Sequence, residues 1–239
     1  MAAFLTDSFH DLPKAFGGLG LRHPFGHDAF GRDLLLTTLR ASFNSFRFAT
    51  VATLLCLFGG LLLGAILAMT PPLPRRWAQS VLDFFLSFPS LLLALGLAAL
   101  WGPGTLTLTI AILIGSLPAF VRLMYFRSRE ILASDYIEAT QAMGGGSVHV
   151  LRVHLIPELL SFARLKIPNF FAQALLAEAT LTFLGIGASA GEETWGALLA
   201  QSRDVLLEYP RIAFCSGLPL ILTVLSLQLL FSEPENARK

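Results

Sequence analysis

Charged side chains are scarce in this chain of 239 residues. Asp, Glu, Lys and Arg together make up 14% of it, whereas hydrophobic residues make up 54% and the mean hydropathy is +0.67. Soluble domains carry about 25% charged residues. This composition therefore excludes an ordinary soluble domain. The net charge is only +1, and the basic residues are scattered, so the sequence predicts no nucleic-acid-binding surface.

Cysteine and histidine are also few. The two cysteines, Cys56 and Cys215, lie inside apolar runs, so we interpret them as small core residues rather than a disulfide or a metal site. The five histidines all lie outside the apolar runs that could cross a membrane. This distribution argues against a haem or metal centre among the spans.

The chain also lacks a nucleotide-binding motif. Gly144-Gly-Gly146-Ser147 has the glycines of a phosphate-binding loop, but no lysine follows, so the G-x-x-x-x-G-K-[ST] pattern is absent. We predict that the chain is not an enzyme and hydrolyses no ATP by itself. If it drives transport, the energy comes from another chain.

Five apolar runs are long enough to be membrane spans. A hydrocarbon core of about 30 Å takes about 20 helical residues. The runs cover residues 48–69, 81–100, 105–126, 167–184 and 212–231. We therefore predict an all-α polytopic membrane protein with five transmembrane helices. A segment 1–45 precedes this transmembrane domain of 46–232, and a tail 233–239 follows it.

Several residues in or beside these spans stand out. Gly60 and Gly64 place small residues on one helix face, where another helix backbone can approach closely. Glu178 interrupts the fourth span, and a carboxylate there costs about 2.5–3.5 kcal/mol by insertion scales. We expect Glu178 to face a cavity or a partner helix, or to reach water near the span end. We expect Trp195 to lie in the same region. For both Glu178 and Trp195, plain packing or anchoring at the membrane interface is the alternative to a functional role.

The longest stretch of mixed polarity lies between the third and fourth spans. Ser134 or Asp135 can cap a short helix, and the three glycines from Gly144 can end it. A second helical segment is expected from Ser147. The sequence thus predicts a water-exposed helical hairpin between two spans.

This hairpin carries the first resemblance to a known family. The pattern Glu138-Ala139-x-x-x-x-Gly144, with Pro157 thirteen residues later, resembles the cytoplasmic "EAA" loop of permease subunits of bacterial ABC importers. In that family the loop forms a coupling helix seated on the ATPase subunit. Thr140 stands where the family usually has a second alanine.

Three further motifs follow the same family in order. His23-Pro24-Phe25-Gly26 with Gly31-Arg32-Asp33 resembles the H-P-L-G-T-D-x-x-G-R-D segment of the second permease of dipeptide, oligopeptide and nickel importers. The other two are the run from Asp83 to Pro89 and the run from Glu178 to Gly187 followed by Trp195-Gly196. His27 replaces the threonine of the first motif. We predict no metal site there.

The resemblance implies a permease subunit that forms half of a translocation path for peptides, nickel or a nickel chelate. It implies a second permease as heterodimer partner, two ATPase subunits that hold ATP and Mg²⁺, an extracytoplasmic substrate-binding protein and a lipid bilayer. This chain would carry no cofactor. The resemblance also implies ATPase-coupling roles within loop 129–157, for Asp135, Glu138, Ala139, Gly144, His149, Arg152 and Pro157. Glu178 and Trp195 are candidates for lining the translocation path or for contact with the binding protein. A cap or a salt bridge to Arg129 or Arg152 is the structural alternative for Glu138.

Basic residues in short loops favour the cytoplasmic side of a membrane. They place the coupling loop and the C-terminus on the cytoplasmic side of the bacterial inner membrane, and the N-terminus on the outer side. Five basic residues between Lys14 and Arg47 conflict with that side, and the family has one more span before the His-Pro segment. A shortened start and a true five-span variant are both compatible with the sequence. Two other functions are also compatible with it: a membrane-embedded enzyme or electron carrier, and an ATP-independent channel.

Overall fold

The computed structural model describes residues 16–18, 20, 23–187 and 192–231. In this part of the chain every regular element is helical, apart from an isolated bridge between His27 and Asp33. The helices are α1 Leu34–Met69, α2 Pro72–Ser87, α3 Ser90–Trp101, α4 Thr105–Leu132, α5 Asp135–Ala142, α6 Ser147–His149, α7 Ile156–Phe183, α8 Trp195–Ser202 and α9 Pro210–Phe231. The predicted tail 233–239 and residues 1–15 of the predicted segment 1–45 lie outside the described residues.

Helix α1 begins earlier than the predicted span. Asp33 is its N-cap, and the Asp33 carboxylate accepts hydrogen bonds from the backbone N–H groups of Leu35 and Leu36. These bonds satisfy donors that the first turn of a helix leaves without an intrahelical partner. The helix therefore starts within the polar segment that the sequence assigned to residues 1–45. It ends before Pro71 and Pro72, where the missing prolyl N–H groups prevent its continuation.

The second predicted span is broken. Helices α2 and α3 meet at an angle of 85° around Phe88 and Pro89. Pro89 has no N–H group to continue the hydrogen-bond ladder of α2, and its ring disfavours helical backbone at Phe88. No residue of α2 is buried. The bend thus separates two helices that both contact α4, α3 more extensively than α2.

The core lies between α1, α4 and α7. A Cβ on Gly60 would lie 2.2 Å from Cδ1 of Phe120, and one on Gly64 would lie 2.6 Å from Cβ of Met124. Phe120 and Met124 are both buried in α4. The predicted strip of small residues is therefore where α1 and α4 approach most tightly, and larger side chains would separate the two helices.

The number of spans differs from the prediction. In the described part of the chain, three helices are long and apolar enough to cross a membrane, namely α1, α4 and α9, and the bent pair α2–α3 makes a fourth if it counts as one span. The predicted span 167–184 lies in α7, which has sufficient length but carries Asn169, Gln173 and Glu178 in that stretch. The polarity of α7 is the reason that five spans are not confirmed.

A nearly continuous helical path leads from the hairpin into α7. The backbone is α-helical in α6, π-helical over Val150–Leu155 and α-helical again from Ile156. The N–H of Ile156 donates to the carbonyl of Leu151, five residues back. Pro157, which has no N–H, follows immediately. The wider turn thus lies next to a position that cannot donate to the ladder.

Candidate functional site

The helical hairpin, residues 133–158, joins the end of α4 to the start of α7. Helix α5 begins after Ser134, as the sequence predicts, and its one buried side chain is Ile137. All seven predicted coupling residues are exposed at the surface of this chain. They are Asp135, Glu138, Ala139, Gly144, His149, Arg152 and Pro157. The hairpin therefore offers a polar surface interrupted by exposed apolar side chains such as Met143 and Val148.

Gly144 makes the turn of the hairpin. Its φ is +92°, in the left-handed region that is open to glycine without steric penalty. The next N–H, of Gly145, donates to the carbonyl of Thr140 at 2.9 Å. A Cβ on Gly145 would lie 2.7 Å from that same carbonyl oxygen. The turn thus depends on two consecutive glycines for two different reasons, backbone conformation and space.

One side-chain cluster ties the hairpin to the spans on both sides. The Tyr136 hydroxyl in α5 donates a hydrogen bond to Oε1 of Glu158 in α7. Arg127 in α4 lies with Nη2 3.9 Å from Oε2 of Glu158, and with Nη1 2.7 Å from Oε2 of Glu130. The hydrogen bond to the Glu158 carboxylate raises the pKa of Tyr136, because loss of the phenolic proton would place two negative charges together.

In the described part of the chain, Glu138 neither caps a helix nor forms a salt bridge to Arg129 or Arg152. Ser134 is the N-cap residue of α5, and within the described part of the chain no ion pair joins Glu138 to Arg129 or Arg152. The Glu138 carboxylate is exposed. It is therefore accessible to another chain.

The far ends of α4 and α7 meet a second cluster, the Arg32 network. Its four side chains are Asp28, Arg32, Glu193 and Gln201. Arg32 Nη1 lies 2.5 Å from Oε1 of Glu193, its Nη2 lies 2.7 Å from Oδ2 of Asp28, and the same Nη2 donates to Oε1 of Gln201 at 3.3 Å. Both Arg32 and Glu193 are 15% exposed. This network joins the segment before α1 to the segment before α8.

Glu178 and Trp195 lie beside this network, and both are fully buried. Ser45 of α1 donates from Oγ to Oε2 of Glu178 at 3.2 Å, and the backbone N–H of Trp195 donates to the same Oγ at 3.1 Å. Thr182 donates to Oε1 of Glu178 at 3.1 Å. Hydrogen bonds from Ser45 of α1 and from Thr182 of α7 itself thus offset the burial of the carboxylate.

A cavity of about 230 Å³ adjoins this region. Its polar lining includes Arg47 from α1, Thr105 and Thr109 from α4, and Glu178 and Glu192. Thr105 donates to Oε2 of Glu192 at 2.7 Å, and Arg47 lies 3.5 Å from Oε1 of Glu192. The cavity therefore contains both signs of charge at one end of the helix bundle.

Sequence reasoning missed the Tyr136–Glu158 contact and the pairing of Arg32 with Glu193. Tyr136 and Glu158 were visible as polar groups at the two edges of the hairpin, and a search for pairs that flank it would have found them. Arg32 and Glu193 are 161 positions apart, and no local pattern links them.

Comparisons with known proteins identify the family. The family described as "Binding-protein-dependent transport system inner membrane component" matches residues 60–232. This chain belongs to that family. The match covers the C-terminal end of α1 from Gly60 and all later helices, including the hairpin and α7.

Individual relatives agree. The chain is 32% identical over 229 residues to the di/tripeptide transport system permease protein DppC of Pseudomonas aeruginosa, covering 94% of this chain and 76% of that protein. It is 28% identical over 229 residues to the glutathione transport system permease protein GsiD of Pectobacterium atrosepticum, covering 94% and 75%. The fold also matches a chain of the inward-facing MetNI methionine ABC transporter with a TM-score of 0.70 at 18% identity, covering 82% of this chain and 94% of that one.

Membership confirms the resemblance read from the sequence. This family member is a multi-pass inner-membrane component of an ABC importer and not an enzyme. Membership also implies ATPase subunits and a substrate-binding protein as partners. The roles of individual residues are a separate matter.

Proposed function

We propose that this permease forms half of the translocation path of a peptide importer and receives its energy through the helical hairpin. The observation that carries the proposal is the exposed helical hairpin held between α4 and α7, with all seven predicted coupling residues at its surface. ATP-driven movement of a subunit bound to α5 would then tilt the two helices that lead to the other end of the molecule. The cofactor-free permease uses ATP and Mg²⁺ bound by that subunit.

The relatives support peptides as the substrate class. Their names describe di/tripeptide and glutathione transport, and these are short peptides or peptide-like molecules. This favours the peptide alternative of the sequence analysis over nickel. The second half of the path is a partner permease, which makes the membrane unit a heterodimer, with two ATPase subunits on the hairpin side and a binding protein on the Arg32 side.

The proposed membrane arrangement has five spans. Four are α1, the bent pair α2–α3, α4 and α9, and α7 is the fifth. The polar Glu178 in α7 supports this count, because Ser45 and Thr182 satisfy its oxygens inside the protein and remove the need for contact with water. The basic residues around α5 place the hairpin and the C-terminus in the cytoplasm.

Glu178 has a place in this path through the cavity that it lines with Arg47 and Glu192. Trp195 is buried, so its contribution is to hold α8 on α1 through the bond from its indole Nε1 to Ser42. A path or binding-protein contact for these two residues stays a prediction. The proposed division of the chain is an N-terminal segment 1–45, a transmembrane domain 46–232 and a tail 233–239, with α1 beginning inside the N-terminal segment.

The experiment compares charge reversal at the two ends of the molecule. Glu138→Arg changes an exposed residue of α5, and Glu208→Arg is the matched control, because Glu208 is exposed near the other end. The complex is reconstituted with its partner permease, ATPases and binding protein in proteoliposomes. We expect Glu138→Arg to reduce ATP-driven dipeptide uptake by about ten-fold or more, with the permease still inserted, because charge reversal at a docking surface costs several kcal/mol.

Glu208→Arg should leave uptake close to the unmodified level. The coupling role of the hairpin would be contradicted if Glu138→Arg and Gly144→Val both retained full uptake. Absence of any ATPase in the purified complex would instead contradict the transport function as a whole.

A further inference from the structure

We propose that Tyr136, Glu158 and Arg127 are positioning residues that transmit movement of α5 to α4 and α7 together. This inference rests on the proposed function and adds the internal contact through which the hairpin acts. The three side chains come from three different helices, α5, α7 and α4 respectively. A displacement of α5 along its own axis would therefore pull on both neighbouring helices at one point.

The geometry makes Glu158 the centre of this cluster. Its two carboxylate oxygens have different partners: Oε1 accepts from the Tyr136 hydroxyl, and Oε2 lies 3.9 Å from Nη2 of Arg127. Arg127 is further fixed by its distance of 2.7 Å to Glu130 and by the Phe162 ring, whose centroid lies 5.5 Å from the guanidinium carbon. A hydrogen bond to a charged acceptor is stronger and more directional than a neutral one.

The cluster also lies at the point where the helix geometry changes. Glu158 follows Pro157, and the π-helical turn Val150–Leu155 ends just before it. A π-helical turn contains one residue more than the α-helical ladder needs, and a change between the two forms alters the rotation of the segment that follows. Tyr136 therefore holds α5 against the first regular turn of α7, beyond the irregular one.

Apolar packing gives the rival explanation. Ile137 is 1% exposed, and in this explanation its packing alone anchors α5. The hydrogen bond of the Tyr136 hydroxyl would then be an incidental surface contact, since Tyr136 is 43% exposed. Apolar contact has no preferred direction, whereas the hydrogen bond opposes sliding of α5 relative to Glu158. The two explanations differ in what removal of one oxygen atom does.

The test removes that oxygen with Tyr136→Phe, which keeps the ring beside His154, at a centroid distance of 5.7 Å. Thr140→Val is the matched control, because Thr140 lies one turn later in α5 and its hydroxyl bonds only to its own helix, at the carbonyl of Tyr136. The complete transporter in proteoliposomes is assayed for dipeptide transported per ATP hydrolysed. We expect Tyr136→Phe to lower this ratio by about five-fold with ATP hydrolysis retained, and Thr140→Val to leave it unchanged.

A double-mutant cycle separates transmission from general stability. Glu158→Gln keeps an acceptor oxygen and should retain most of the ratio, whereas Glu158→Leu should lower it at least as much as Tyr136→Phe, because it also removes the contact with Arg127. The pair Tyr136→Phe with Glu158→Leu should be no worse than Glu158→Leu alone, because both substitutions remove the same hydrogen bond.

Additive losses in that cycle, or an unchanged ratio for Tyr136→Phe, would overturn the inference. The proposed function would survive both results, provided that Glu138→Arg still abolished uptake. If the unmodified complex moved no dipeptide at all, the proposed function would fail first.

Discussion

The Arg32 network and the helical hairpin lie at opposite ends of α4 and α7 and are built in opposite ways. Arg32 joins two chain segments 161 positions apart, and it and Glu193 are largely buried. The main polar contact of the hairpin joins Tyr136 to Glu158, 22 positions apart, and both side chains are substantially exposed. One end is held by distant parts of the same chain, and the other is held by its immediate neighbours.

This difference separates an end that is held together by buried polar contacts within the chain from an end that exposes apolar side chains. The buried side chains beside Arg32, including Glu178 and Trp195, have their hydrogen bonds within the chain. The hairpin presents Met143 at 83% exposure and Val148 at 63%, which is costly in water and favourable under a docked subunit. Substitutions at the two ends test this difference, because we expect larger losses of stability near Arg32 than in the hairpin.

Truncation of Trp195 should have the largest effect on stability. Its side chain is 1% exposed, so Trp195→Ala should lower the free energy of unfolding by about 3–5 kcal/mol, since a cavity is left and the hydrogen bond from the indole Nε1 to Ser42 is lost. Trp101→Ala is the matched control, because Trp101 is 62% exposed, and Met143→Ala samples the hairpin. Denaturation of the purified chain in micelles measures all three. Equal losses at Trp195 and Met143 would end the distinction between the two ends.

Removal of the Arg32 charge should come next. Arg32→Met leaves Glu193 and Asp28 without their shared cation, and we expect a loss of about 1.5–3 kcal/mol in the same measurement. Arg152→Met removes the same charge at the exposed hairpin and should change stability by no more than about 0.5 kcal/mol. A larger loss from Arg152→Met would show that the hairpin is fastened by a contact of Arg152.

Gly60→Ala tests the joint that connects the two ends. The added Cβ would lie 2.2 Å from Phe120, whose ring is buried and packs on Phe170 at 4.4 Å, so it has little room to move. We expect a loss of about 1–3 kcal/mol from overpacking. In α3, Gly96→Ala meets nothing within 4 Å and should be neutral or stabilising by up to about 1 kcal/mol. A neutral Gly60→Ala would mean that α1 and α4 can separate without cost.

The smallest expected effect concerns pH at the start of α1. Burial alone would raise the pKa of Asp33, but hydrogen bonds from His23 and from the N–H groups of Leu36 and Leu35 outweigh it, so this pKa is lowered from 3.8. The ionised carboxylate therefore stabilises the fold above pH 3.8, and this contribution is lost as the pH falls through the lower, folded-state pKa.

Asp33→Ala should thus cost about 1 kcal/mol at neutral pH, and the difference from the unmodified chain should shrink in acid below pH 3.8. Asp33→Asn, which keeps a capping oxygen, should lose less at neutral pH. A difference that grows as the pH falls would contradict the assigned direction of the pKa shift.

Much of the hairpin was predictable from the sequence because its signals are local. The position of Ser134, the glycines from Gly144 and the restart at Ser147 predict the bounds of α5 and α6, although the Ser134 hydroxyl donates to the carbonyl of Ile131 and does not cap α5. The break at Pro89 is local in the same sense. The family resemblance, which the comparisons confirm, depended on these short motifs.

The remainder depends on contacts between distant residues. Hydropathy could not place the start of α1 at Leu34, because the first turns of that helix carry Arg40, Asn44 and Arg47, and their polarity hides it. The same applies to α7, whose carboxylate Glu178 is satisfied by Ser45, a residue 133 positions away. Pairings of that kind leave no periodic signal in one sequence.

Helix α7 has a consequence of scale. It has 28 residues, so its axis is about 42 Å long, and it begins beside Glu158 and ends just past Glu178. A tilt of about 10° around its foot would carry its head sideways by about 7 Å, more than the width of a peptide backbone. A partner subunit that moved the hairpin end would therefore need only a small displacement: a tilt of a few degrees changes the separation between α7 and its neighbours at the other end.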